Sequence, residues 1–386
     1  LSPGALLHPT ISASLPPEDS LSLSLSSPGS LSLHAAYGAA TAAGVHALGQ
    51  DTLLLALGRH LVLHEAGEQR FLSAHDAKVQ CLVLHPHGAL AASGQQAGGA
   101  AAPIAIWRVV PFSPEPLLLL GDSEAAGAGV RALAFSADGK TLGALFAHAD
   151  HTLVLYDWRG ARALAAVSLG PGVAPLALAF APAADGTLAV GGPRYLRLWS
   201  VRPAGGTIES VGCELPDQPV GQPAGRARKA TVTALAWHPL GTLLAGTSRG
   251  EILVYRGAAL LRAYHAHAGP VFALALPHGA PAERAYLLSG GKDGRLRLWG
   301  ADAFGLSEPA SAARQELRTV DLRALVARLT AGAGRPQLLG PPSIRSVSWM
   351  GTLVYVGTRA GEVLRLDYSA SEESPEATLL LSLIHI

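Results

Sequence analysis

The sequence predicts an all-β fold, a β-propeller of about seven blades, on three observations. The first is a short apolar strand ending that recurs as "HLVLHE" (60–65), "IAIWRV" (104–109), "TLVLYD" (152–157), "YLRLWS" (195–200), "EILVYR" (251–256), "RLRLWG" (295–300) and "EVLRLD" (362–367). With His64, Trp107, Tyr156, Trp199, Tyr255, Trp299 and Leu366 aligned, the spacings are 43, 49, 43, 56, 44 and 67 residues. Four of these six spacings lie within about ten residues of the roughly 40–45-residue period of propeller blades, and the two long ones read as insertions. The second is an apolar strand, a turn and another strand upstream of the last six endings, as in "KVQCLVLHPHGALAASG" and "TVTALAWHPLGTLLAGTS". The third is negative: no run sustains the 3.6-residue period of a helix over the repeats.

In chain order, residues 1–30 are a Ser/Leu/Pro-rich segment of low complexity, expected to be disordered. They lack the basic start of a signal peptide, and residue 1 is Leu, so the chain reads as a fragment. Residues 31–44 lead into the repeats, and 45–383 form the propeller. The turns "HPHG", "SADG", "AADG" and "HPLG" all finish on Gly, which supplies the positive φ of a tight connection. The strands are short and apolar throughout, as expected when both faces are covered by neighbouring blades. Each unit has three clear strands and a weaker fourth. A single blade cannot bury both faces, but a closed ring of seven can. In "RTVDLRALVARLTAGAGRP" (318–336), "RTV" completes a strand. After it, Leu322, Leu325, Val326 and Leu329 recur at helical spacing, with Asp321 placed to cap, Gly332 to terminate, and Arg323 and Arg328 off the apolar stripe. This helix either packs on the blade edge or binds a partner. "LLLSLIHI" reads as a closing strand, with 384–386 a ragged end.

Composition bounds the function. Of 386 residues, 49% are apolar and only 15% charged, with 44 Gly, which describes a turn-rich globular chain. A net charge of +1 argues against a chain-wide nucleic-acid or membrane-surface role. Aromatics are not interleaved with basic residues, so RNA binding lacks support. No stretch reaches the roughly 18 uninterrupted apolar residues of a membrane span. Cys81 and Cys213 do not make a disulfide framework, which points to a reducing, intracellular compartment. No phosphate loop, nucleophile elbow or paired-carboxylate pattern is present, so neither an enzyme nor a cofactor is expected.

The unit ending at Trp299 carries a complete polar set. His267 precedes its first strand, Ser289 ends the second, Asp293 lies in the turn and Trp299 ends the third. These are the residue types that form a buried hydrogen-bonded chain in WD-type repeats. Their spacing is that of the repeat, so the set reads as structural and resembles a Ser-His-Asp triad by composition only. The unit ending at Trp107 keeps His75 and Ser93, but "GQQAGGAAAP" stands in place of the Asp turn. The fold expected is therefore a WD40-type β-propeller with degenerate repeats.

Several stretches resemble one family in particular. "RFLSAHDAKVQCLVLHPHGALAASGQQAGGAAAPIAIWRV" (70–109) is similar to the first repeat of the echinoderm microtubule-associated protein-like (EMAP-like) family, through His75, Asp76, His85, Pro86, "ASGQQAGG" and Trp107. "HAHAGPVFALA" (265–275), "SGGKDGRLRLW" and "PSIRSVSWMGTLVYVGTRAGEVLRLD" (342–367) resemble its later blades, the last as in its long members. "LSLHAAYGAATAAG" (31–44) lies where the family carries its hydrophobic HELP motif, but only Leu33, Tyr37 and Gly38 fit, so the segment is HELP-like and degenerate. The resemblance implies a cytoplasmic, cytoskeletal protein that binds tubulin or microtubules. It also implies two joined propellers, of which this chain holds the first.

Other constellations have bland readings beside the sharp ones. His148, Asp150 and His151 in "HADH" are metal-ligand types at a hairpin turn, without a convergent fourth ligand. "HPH" (85–87) and "HAH" (265–267) follow the repeat, so they read as turn and core histidines rather than ligands. Arg226, Arg228 and Lys229 in "GRARK" form either a solvated loop or a contact steered toward acidic tubulin surfaces. The expected function is a non-catalytic tubulin- or microtubule-binding module. The alternative is a general protein-interaction scaffold, in a ciliary setting for example, without tubulin affinity.

Overall fold

The structure, a computed structural model, describes residues 44–381 except 50, 67, 99–102, 122–128, 184, 202–207, 219–229, 278–285, 301–302, 305–315, 331–341 and 368–375. Residues 1–30, the HELP-like positions Leu33, Tyr37 and Gly38, the ragged end 384–386, Gly332, and the basic trio Arg226, Arg228 and Lys229 lie outside the described residues.

The described strands form seven four-stranded antiparallel sheets, each built from four consecutive strands. Blade one is β1 (Val45–Ala47), β2 (Thr52–Leu57), β3 (His60–Glu65) and β4 (Glu68–Leu72); blade two is β5 (Val79–Leu84), β6 (Leu90–Gln95), β7 (Ile104–Arg108) and β8 (Pro116–Leu120). Blade three is β9 (Val130–Phe135), β10 (Thr141–Phe146), β11 (Thr152–Asp157) and β12 (Arg162–Ser168). Blade four is β13 (Ala177–Phe180), β14 (Thr187–Gly192), β15 (Tyr195–Val201) and β16 (Ile208–Gly212). Blade five is β17 (Val232–Trp237), β18 (Thr242–Thr247), β19 (Glu251–Arg256) and β20 (Ala259–His265). Blade six is β21 (Val271–Ala275), β22 (Leu287–Gly291), β23 (Arg295–Trp299) and β24 (Glu316–Asp321). Blade seven is β25 (Ile344–Met350), β26 (Leu353–Thr358), β27 (Val363–Asp367) and β28 (Glu376–Leu381). All seven recurrent endings fall on third strands, so the opening alignment followed one position around the ring. The closing strand starts at Glu376, earlier than "LLLSLIHI" suggests.

Burial explains the apolar runs. β18 and β26 are buried at every residue because a neighbouring blade covers each face. The fourth strands are outer edges, and β12 has no buried residue, which is why they read weakly. The Gly that closes each first turn takes a positive φ: Gly88, Gly139, Gly186 and Gly241.

Successive first strands pack from β5 round to β25, β25 returns to β1, and β2 meets β5. No described sheet mixes strands from the two ends of the chain, so side chains close the ring. Val45, Leu53 and Leu55 pack on Leu353, Tyr355 and Val363. The Ala47 amide donates to Ser348 Oγ at 3.0 Å, and Arg365 pairs with Asp51 at 2.8 Å.

Helix α1 (Leu322–Thr330) follows β24. Asp321 Oδ1 accepts from the amides of Arg323 at 3.0 Å and Ala324 at 3.2 Å, an N-cap. Leu322 and Leu325 are buried in a cluster with Leu296 of blade six and Val354, Val356 and Leu366 of blade seven, and Val326 is buried as well. Of the two readings of this helix, packing on the blades accounts for its apolar face.

Candidate functional site

The antiparallel order places every turn between second and third strands, and every loop running into the next first strand, at one end of the ring, here termed the upper face. In blade six this face is held by a hydrogen-bonded chain. Trp299 Nε1 donates to Ser289 Oγ at 2.9 Å. Ser289 Oγ lies 2.8 Å from His267 Nε2, and His267 Nδ1 lies 3.0 Å from Asp293 Oδ1. A carboxylate only accepts, so Nδ1 carries the proton, and in the neutral ring Nε2 accepts from the serine hydroxyl. Asp293 also accepts from the amides of Ala268 at 3.1 Å and Arg295 at 3.2 Å, tying the turn to the loop before β21. Burial by itself would raise the Asp293 carboxyl; His267 and the two amides outweigh it and hold it down at about 2. A Cβ on Gly291 would lie 2.4 Å from His267 Nδ1 and 2.6 Å from Asp293 Oδ1, so only glycine leaves room for the pair.

Blade two builds the chain without the acid. Trp107 Nε1 donates to Ser93 Oγ at 2.7 Å, and Ser93 Oγ lies 2.6 Å from His75 Nε2. His75 Nδ1 is buried with no hydrogen-bond partner. Gln95 Oε1 instead accepts from the amides of Asp76 at 3.2 Å and Ala77 at 3.3 Å. Burial pushes the His75 imidazole down to about 4, against smaller upward pulls from Gln95 and Asp76.

Blades five and seven use a third arrangement, which the repeat reading missed. In "TSRGE" (247–251), Thr247 Oγ1 donates to the buried Glu251 carboxylate at 3.3 Å, and Arg249 Nε donates to it at 2.9 Å. In "TRAGE" (358–362), Thr358 Oγ1 donates to buried Glu362 at 2.7 Å. The shared Thr-x-x-Gly-Glu spacing was the available signal.

The remaining candidates fall elsewhere. His85 Nε2 lies 3.0 Å from the Gly139 carbonyl oxygen, joining blades two and three on the opposite, lower face. His87 follows in that turn, and its amide donates to His85 Nδ1 at 3.2 Å. His148, Asp150 and His151 occupy the β10–β11 turn, where the His151 amide donates to the His148 carbonyl. Among the described residues no group of three or more His, Cys, Asp or Glu side chains could hold a metal. No described helix is long and apolar enough to cross a membrane. Cys81 is buried and Cys213 half-buried, and neither is in a disulfide.

Charge divides between the faces. Exposed Arg59, Lys78, Arg194, Lys292 and Arg359 occupy the upper face, with Asp76, Asp150, Glu214 and Asp217 opposing them. Exposed Asp51, Glu65, Glu68, Glu115, Asp138 and Asp185 occupy the lower one, with Arg108, Lys140, Arg159, Arg162 and Arg256 opposing them.

The family model described as the echinoderm microtubule-associated protein first β-propeller matches residues 68–339, most of the described ring. The chain belongs to the EMAP-like family. Mouse (Mus musculus) echinoderm microtubule-associated protein-like 3 is 30% identical to this EMAP-like chain over 262 residues, covering 62% of the chain and 28% of the relative. Cilia- and flagella-associated protein 44 of Chlamydomonas reinhardtii is 30% identical over 243 residues, covering 59% of the chain and 13% of the relative. The chain thus spans well under a third of either relative. Among solved structures, the RRP9 WD40 repeats match with a TM-score of 0.56 at 20% identity, over 82% of this chain and 84% of that one, a likeness of fold alone. The EMAP-like propeller is a WD40-type protein-interaction module.

Proposed function

We infer that this propeller docks tubulin or microtubules in the cytoplasm, as a cytoskeletal binding module that works by presenting a rigid surface rather than by chemistry. The observation that carries the reading is the match to the EMAP-like first propeller over 68–339. The basic residues of the upper face support it, since a positive face steers an acidic partner surface. Arg226, Arg228 and Lys229, in the stretch between β16 and β17, are assigned to the edge of the contact. The test is microtubule co-sedimentation at two salt concentrations, wild type beside the Arg226→Ala/Arg228→Ala/Lys229→Ala variant. The variant should keep its melting temperature, bind more weakly and show a flatter salt dependence, because exposed charges are screened beyond about 8–10 Å at physiological salt. Equal affinity and equal salt slope would make the basic loop inert.

The second reading is a ciliary interaction scaffold without tubulin affinity, and the ciliary relative favours it. Failure of the wild type to co-sediment at any salt, with a longer form of the protein failing too, would put this reading first.

A further inference from the structure

Arg345 is a half-buried guanidinium with no acid to meet it. It is the extra residue of an inner-strand bulge in blade seven, between Ile344 and Ser346. Its Cζ lies 3.8 Å from the ring centroid of Phe272, which occupies the same bulge position in blade six, between Val271 and Ala273. A guanidinium over a ring face still has N–H donors to offer oxygen ligands. Arg359 stands beside it. The Arg359 amide donates at 2.8 Å to the carbonyl of Ser343, two residues before Arg345. Burial first, and then the Arg359 charge, lower the Arg345 pKa. Neither arginine is in an ion pair among the described residues.

A separate observation points to a missing ligand. Ser343 is 5% exposed, and its Oγ is buried without a hydrogen-bond partner. A buried polar atom of this kind is uncommon and requires a reason. Pro342 packs against Gly294, which brings the Lys292–Asp293–Gly294 turn of blade six alongside. Lys292 holds in blade six the position that Arg359 holds in blade seven, its amide donating to the Pro270 carbonyl at 2.9 Å. The neighbouring acids are engaged: Asp293 by His267 and two amides, Glu362 by Thr358.

We propose that Arg345, Arg359 and Ser343, flanked by Lys292, form a carboxylate-binding site at the inner rim of the upper face that takes an acidic segment of a protein partner. The cations sit on successive blades, which suits carboxylates spaced along a polypeptide better than one compact phosphate. The proposal rests on the reading that the upper face docks proteins.

Fluorescence anisotropy with a labelled oligoglutamate peptide tests it. Arg345→Gln/Arg359→Gln should bind about tenfold more weakly than wild type, because charge-assisted contacts are the strong ones. Arg345→Lys, which keeps the charge and loses the planar guanidinium, should fall between the two. Lys140→Gln, which changes an exposed residue on the opposite face, should bind oligoglutamate as wild type does. Equal affinity of a correctly folded double variant, equal binding of an oligoglutamine peptide, or complete displacement by inorganic phosphate would each overturn the proposal. Should the double variant not fold, Arg359→Gln alone changes an exposed residue, and an unchanged affinity there would overturn it equally. Oligoglutamate binding that needs both arginines, in a protein that never co-sediments with microtubules, would sink the tubulin reading and leave this site standing.

Discussion

Blades two and six begin from the same three side chains and finish differently. Both aim a third-strand tryptophan at a serine and the serine at a histidine. In blade six the histidine donates a hydrogen bond to Asp293, which also gathers two backbone amides, so one side chain fastens the core, the turn and the incoming loop. In blade two the jobs are divided: Gln95 takes the amides, and the histidine's second nitrogen goes without a partner. Degeneracy in this repeat is a redistribution of acceptors, with the apolar frame around them retained.

The tryptophans should give the largest effect and the least contrast. Trp107 is fully buried and Trp299 nearly so, at 4% exposure. Replacing either with Ala should cost about 3–5 kcal/mol in chemical denaturation, from the cavity and the stranded serine. A melting curve like the wild type for Trp299→Ala would break the assignment of the polar chain to the core.

The acceptors should separate the blades. Asp293→Ala leaves a buried imidazole donor and two amides without their acceptor, and should cost about 2–3 kcal/mol. Gln95→Ala removes a neutral acceptor of two amides and should cost about 1 kcal/mol. The same denaturation experiment reads both, and a reversed order would refute the contrast.

Acid should sharpen the comparison through its pH slope. The folded His75 titrates near 4, below its unfolded value of about 6.5, so the unfolded chain binds more protons in between. Its contribution is therefore present above about pH 6.5 and is lost as pH falls towards 4. Burial lowers His46, His60 and His85 in the same direction, so the measurement is a difference: His75→Gln should flatten the stability–pH slope in that window by up to about 3 kcal/mol. Asp293, held at about 2, keeps its contribution down to about pH 4 and loses it between there and 2, and Asp293→Asn should remove that lower limb. An unchanged slope in the His75 variant would show that His75 is not a group whose burial sets stability in that window.

The sequence alone determined the repeat, the number of blades and the strand that carries the aligned residue. Burial on both faces forces continuous apolar runs, and tight turns force glycine, so each blade wrote its signature locally. The helix after β24 was legible for the same reason, since Asp321 and the Leu322, Leu325 and Val326 stripe act within two turns of chain. The tertiary structure decided what depends on partners distant in sequence. It placed Ser348 under the Ala47 amide across the ring closure, gave Gln95 the amides that Asp293 takes in blade six, and buried Glu251 and Glu362 behind their threonines. It also set Arg345 over the ring of Phe272 of the preceding blade. An acceptor and its donor need only meet in space, and a ring of seven sheets brings together side chains whose separation no local pattern encodes.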